Sequence, residues 1–188
     1  AIPSDDRVWG LRSWGGSEFY VYDSVEDLTA ETPSSIEPLA PYSYVGTGHV
    51  VYDGHLYYNE EDSNHVRRFN LETLEDAGSL EIPDAGYMST YPYQWGGYTD
   101  IDLSVDEYGL WVIYSTAANA GRLVLSKIDV ETFSIEDTWN TTSRGKGSFG
   151  NAFMLCGKLY GTNAYNAEIG SLDFMFNPAT GLEIDPDI

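Results

Sequence analysis

One cysteine, Cys156, occurs in the whole chain. No disulfide can close within it, and low cysteine content by itself points to a reducing compartment. Basic residues are almost as scarce. Nine Lys and Arg stand against 30 Asp and Glu, for a net charge of −21. Such a surface repels phosphates, which excludes nucleic acid as a partner. It attracts cations and basic protein surfaces, and it also serves solubility. No apolar run approaches the roughly 18–20 residues that cross a bilayer as a helix. There is no initiator Met and no signal-peptide pattern. The opening Ala1-Ile2-Pro3 is that expected of a processed N-terminus or a fragment. Helical periodicity is lacking too.

Strand signals fill the space that these absences leave. The 188 residues are 42% hydrophobic and include 15 Tyr and 5 Trp, enough for a core and suited to half-buried sheets. Val50-Val51-Tyr52 meets Asp53-Gly54 and then His55-Leu56-Tyr57-Tyr58. Asp-Gly between apolar runs predicts a hairpin, because a type I′ turn needs positive φ at both central residues. Asp102 to Val105 turns through Asp106-Glu107-Tyr108-Gly109 into Leu110 to Tyr114. Ala152 to Leu155 turns near Cys156-Gly157 into Lys158-Leu159-Tyr160.

A further strand follows each hairpin, and these strands end alike: Phe69-Asn70-Leu71-Glu72-Thr73, Ile128-Asp129-Val130-Glu131-Thr132 and Phe176-Asn177-Pro178-Ala179-Thr180. Tyr22-Asp23-Ser24-Val25-Glu26 is a weaker copy. A short polar side chain that bonds the backbone two residues ahead is turn chemistry. Repetition roughly every 50 residues, with several strands each, predicts an all-β fold of the β-propeller kind, with a β-sandwich as the competing architecture. At that spacing the chain holds about four blades or fewer.

Several residues invite chemistry. Asp100, Asp102 and Asp106 lie on a strand and its turn, where a period of two turns Asp100 and Asp102 the same way. Their oxygens suit a hard cation, or they cap turns. Gly145-Lys146-Gly147-Ser148-Phe149-Gly150 matches GxGxxG, but Asn151 to Leu155 after it reads as a strand. A phosphate site needs a helix there. Arg67-Arg68 and Lys146 are expected to be solvated or to pair with the acidic surface for little net energy, and Glu60-Glu61-Asp62 is expected to be a solvated turn. Tyr91-Pro92-Tyr93-Gln94-Trp95-Gly96-Gly97-Tyr98 suits packing between blades, or a contact surface. Asn140-Thr141-Thr142 is an N-glycosylation sequon and points to the secretory route. Cys156 by itself reads as a buried thiol at a strand end. A nucleophile is disfavoured, because His49, His55 and His65 all lie far from it in sequence.

The run YPYQWGGYTDIDLSVDEYGLWVIY from Tyr91 closely resembles the signature of the olfactomedin domain. GTGHVVYDGHLYYN from Gly46, VLSKIDVETFSIEDTWNT from Val124 and NAFMLCGKLY from Asn151 agree in order. The resemblance covers roughly residues 44 to 183. It implies a secreted or cell-surface protein with a five-bladed propeller. Residues 1–188 would then form one olfactomedin-like domain, truncated at both ends. It also implies that Asp102, the Asn151 side-chain oxygen and the Ala152 carbonyl are calcium ligands, with two further ligands outside the chain. Cys156 would pair with a cysteine that the chain lacks.

The expected function is an extracellular protein-binding module for adhesion, matrix organisation or cell-surface recognition. Its partners would be extracellular or cell-surface proteins, without a membrane span, and any oligomerisation would run through segments outside the chain. No catalytic constellation stands out. The competing reading is a propeller-fold, metal-dependent hydrolase of glycans.

Overall fold

Turn chemistry lays out the architecture. The computed structural model describes residues 6–186, so Ala1-Ile2-Pro3 and Ile188 lie outside the described residues. Asp53 and Gly54 take positive φ, 45° and 72°, as the Asp-Gly hairpin requires. Cys156 and Gly157 do the same at 52° and 68°. The Glu107-Tyr108 turn differs: its positive φ falls on the next residue, Gly109.

The first sheet joins β1 (Val8–Gly10), β3 (Glu18–Tyr22) and β4 (Ser35–Pro38), beside a ribbon of β2 (Gly15–Gly16) and β5 (Tyr44–Val45). The second is β6 (Val50–Tyr52), β7 (His55–Asn59), β8 (His65–Asn70) and β9 (Glu75–Glu81). The third is β10 (Asp102–Asp106), β11 (Gly109–Ser115), β12 (Arg122–Asp129) and β13 (Ser134–Gly145). The fourth is β14 (Asn151–Leu155), β15 (Lys158–Thr162), β16 (Leu172–Asn177) and β17 (Leu182–Ile184). Every pairing is antiparallel, and strand order follows chain order within each four-stranded sheet. These are four blades of a β-propeller.

The recurring strand ends are the ends of β8, β12 and β16. Asn70 Oδ1 accepts from the amides of Glu72 and Thr73. Asp129 Oδ1 accepts from Glu131 and Thr132, and Asn177 Oδ1 from Ala179. The copy at Tyr22 behaves differently. Ser24 Oγ accepts from the Asp27 amide and caps a short helix, α1 (Val25–Thr29). Ser24 takes the N-cap position and Asp27 the first turn, and both choices favour a helix over a simple turn.

The core lies between blades, because alternate residues of one strand face opposite neighbours. Leu110, Val112 and Tyr114 pack with Tyr57 and Val66 of the second sheet. Trp111 and Ile113, from the same strand, pack with Met154, Leu159 and Phe176 of the fourth. Leu56, Tyr58 and Phe69 meet Phe19 and Val21 of the first. The first strands contact each other in turn, β6 with β10 and β10 with β14, and so line the inner edge of the blades. Ser104 Oγ accepts from the Met154 amide and ties β10 to β14 where no ladder exists.

Two charges expected at the surface, solvated or paired, are buried. Arg67 is 7% exposed and Lys146 is fully buried. Arg67 Nε bonds Glu60 at 2.9 Å, and its Nη1 bonds Asp76 at 3.0 Å. Glu60 is therefore an ion-pair partner rather than a solvated turn residue. Arg68 reaches the next blade, donating to the Val130 carbonyl and lying over the Phe133 ring. The two have different causes: Arg67 is enclosed by carboxylates 7 and 9 residues away on its own blade, whereas Lys146 reaches backbone carbonyls 46 and 47 residues back along the chain.

Candidate functional site

The inner edge gathers the residues of greatest chemical interest. Asp102 opens β10 and is 6% exposed. Its Oδ1 accepts from the Leu103 amide at 3.0 Å, and its Oδ2 from the Tyr93 hydroxyl at 2.7 Å. Tyr93 comes from the long connection before β10 and is buried. Tyr93 shares a core cluster with Ala152 of β14, and so links the third and fourth blades. The second blade closes the site from the other side. A Cβ on Gly48 would stand 2.0 Å from Asp102 Oδ1 and 2.7 Å from its Cα. Only a glycine permits this approach.

Lys146 supplies the balancing charge. It lies in a single 3₁₀ turn, Lys146–Ser148, within the glycine-rich run, and a strand follows that turn. No phosphate-binding helix exists there. The ammonium donates to the carbonyls of Thr99, at 2.9 Å, and Asp100, at 2.6 Å. It lies 4.5 Å from the centre of the Tyr93 ring, a cation–π contact. Burial lowers its pKa to about 8, against the pull of Asp102 and Asp100. Burial raises the Asp102 carboxyl above its usual value, and Lys146 and the Tyr93 hydrogen bond oppose that rise. Tyr93 is pushed well up by burial and by the Asp102 charge.

The three aspartates do not converge. Asp100 precedes the strand, and its carboxylate accepts from the amides of Ser89 and Tyr91 in the aromatic connection. It organises a loop and does not face the same way as Asp102. Asp106 closes the far end of β10. Its Oδ1 accepts from the Tyr108 amide and Trp111 Nε1, and its Oδ2 from the Gly157 amide. One carboxylate thereby fixes the hairpin turns of two neighbouring blades.

Asn151 and Ala152 open β14. The Asn151 side chain is exposed, and its Oδ1 accepts from the Ala152 amide. Asn140 is exposed on β13. Cys156 is an exposed free thiol in the β14–β15 turn, not a buried one. A hydrogen bond and charge from Glu107 raise its pKa, so it is no activated nucleophile. Among the described residues, no three of His, Cys, Asp and Glu cluster as a metal site.

Sequence reasoning found Asp102 but missed Tyr93, Gly48 and Lys146 as its companions. The glycine-rich run was the available signal for Lys146, since close turns can carry a side chain inward. The aromatic connection divides its labour. Tyr93 and Trp95 pack between blades, while Tyr98 is 41% exposed and stacks on Trp14 at 4.9 Å.

The olfactomedin-like domain model matches residues 2–188. Myocilin from Bos taurus is 45% identical over 178 residues, 94% of this chain and 36% of that protein. Myocilin from Homo sapiens is 43% identical over 181 residues, 95% of this chain and 36% of that protein. The chain thus spans about a third of the length of these relatives. Kuenenia stuttgartiensis hydrazine synthase is similar over 92% of this chain and 60% of its own, at 10% identity and a TM-score of 0.42. A luciferin-regenerating enzyme is similar over 96% and 56%, at 15% identity and a TM-score of 0.37. Neither of these two likenesses bears on function.

Proposed function

The chain belongs to the olfactomedin-like domain family, and from that premise we propose that it is an extracellular protein-binding module. One observation carries the reading: the buried carboxylate at the inner edge is engaged in holding blades together. Asp102 meets a tyrosine, a strand amide and a walled-in lysine. Glycan hydrolysis needs an acid and a base facing each other across the scissile bond. Adhesion, matrix organisation and cell-surface recognition are the roles proposed for it, with secreted or cell-surface proteins as partners. Among the described residues, no helix is long and apolar enough to cross a membrane.

Calcium is part of the same proposal. The Asp102 carboxylate, the Asn151 amide oxygen and the Ala152 carbonyl are its ligands. The donor set is all oxygen, as a hard cation requires. These residues fit the ion in kind. Calcium takes about 6–8 oxygens, so further groups and water complete the shell. Bound there, the ion supplies structural charge at the inner edge. Asn140 is open to a glycan, and Cys156 is open to a cysteine from outside the chain.

The test is an array of displayed extracellular domains probed with the purified chain, with calcium and with a chelator. Saturable capture by one of them supports the reading. The absence of any saturable capture overturns it.

A further inference from the structure

A cleft between the third and fourth blades shares no residue with the Asp102 site. It encloses about 370 Å³ and is lined by Tyr108, Trp111, Lys127, Trp139, Cys156 and Lys158, among others. Trp139 is half-buried and packs at 46°, 5.9 Å away, on the buried Trp111, so it offers the aromatic face of the cleft. Asp106 fixes Trp111 in turn, bonding its Nε1 and the amides of both flanking turns.

The cations are unevenly placed. Lys127 and Lys158 are two of the chain's three lysines, and both border this one cleft. Lys127 is paired with Glu136 at 3.0 Å. Lys158 is half-buried and makes no ion pair among the described residues. The other acids nearby are Asp106 and Glu107, the latter bonded to the Cys156 thiol. Sites of this size bind through an apolar floor and a few placed polar groups. A net charge of −21 would repel an extended polyanion, so the ligand must carry little charge.

We propose that this cleft binds a single ring bearing one carboxylate, stacked on Trp139 with its acid group on Lys158. A uronate sugar and an aromatic acid share that chemistry. The test titrates glucuronate and phenylacetate against their neutral counterparts, glucose and phenylacetamide, at matched ionic strength. Tryptophan fluorescence is one readout. Protection of Cys156, the chain's one thiol, from maleimide alkylation is the second.

The expected result is saturable quenching and slower alkylation with at least one acid, and neither with its neutral counterpart. Lys158→Gln, a surface change that leaves the core intact, should weaken binding about tenfold, the loss of one charge-assisted hydrogen bond. Which acid binds separates the sugar source from the aromatic one. No saturable change at millimolar acid, equal binding of the neutral ring, or unchanged affinity in Lys158→Gln overturns the proposal. Failure here leaves the protein-binding reading standing, since that reading does not use this cleft.

Discussion

The Tyr93 hydroxyl donates to Asp102 Oδ2 across 2.7 Å, and both side chains are closed to solvent. A carboxylate in such a place is tolerable only when its lone pairs and charge are met. Tyr93→Phe keeps the ring and removes the donor. It should cost about 1–3 kcal/mol, the penalty for an unmet buried acceptor. Urea denaturation of the two proteins checks it. A change below about 0.5 kcal/mol, within the range of neutral surface substitutions, would contradict the role given to that hydroxyl.

Gly48 faces the other side of the same carboxylate. Gly48→Ala would place its Cβ 2.0 Å from Asp102 Oδ1 and 2.7 Å from backbone, so the strand itself must shift. Overpacking of this kind costs about 3 kcal/mol. Gly10→Ala, where nothing lies within 4 Å, is the control and should stay near the parent. Thermal melting of both variants decides it. Equal melting temperatures would show that the approach is not tight.

Burial separates two arginines that look alike in sequence. Arg67 has a side chain 9% exposed, two carboxylate partners and the Tyr42 ring beneath it. Arg67→Met leaves Glu60 and Asp76 facing each other without a cation and should cost about 3 kcal/mol. Arg12 pairs with Glu31 at 42% and 77% exposure, and Arg12→Ala should cost at most about 0.5 kcal/mol. Denaturant midpoints that fall equally in the two variants would contradict this ranking.

Lys146 gives the stability a pH signature. Its pKa is 10.5 when unfolded and about 8 when folded. Between those values the unfolded chain holds a proton that the folded chain has released. Stability therefore rises with pH through the window, and the buried-charge penalty is largest below it. Tyr93 acts oppositely above its ordinary 10.0, because folding holds its proton. The rise is thus read between about pH 8 and 10. Lys146→Met should abolish it. Parallel curves for the two proteins across that range would contradict the assignment.

Local chemistry was legible in the sequence, and long-range placement was not. Asp53-Gly54 and the polar residues ending β8, β12 and β16 act within a few residues, so their roles could be read directly. Tyr22 to Glu26 failed because the same polar residues serve a helix cap as well as a turn. Asp102 stood out as a strand aspartate. Its companions arrive from the loops before β6 and β10 and from the turn before β14, and no spacing rule joins those segments. Lys146 and Arg67 were misplaced for the related reason that a charge reads as solvated until its partners are known. Cys156 was half-legible: its turn was foreseen, but its exposure depends on how far the turn projects.

Asp102→Ala, followed by melting temperature and glycoside turnover on the same preparation, tests the central claim most directly. If Asp102 is structural, removing it strands Lys146 and the Tyr93 hydroxyl in the interior. The melt should then fall by an amount corresponding to about 3 kcal/mol, with no turnover in either protein. Turnover by the parent chain that disappears in Asp102→Ala, with the melt unchanged, would contradict the account and make the site catalytic.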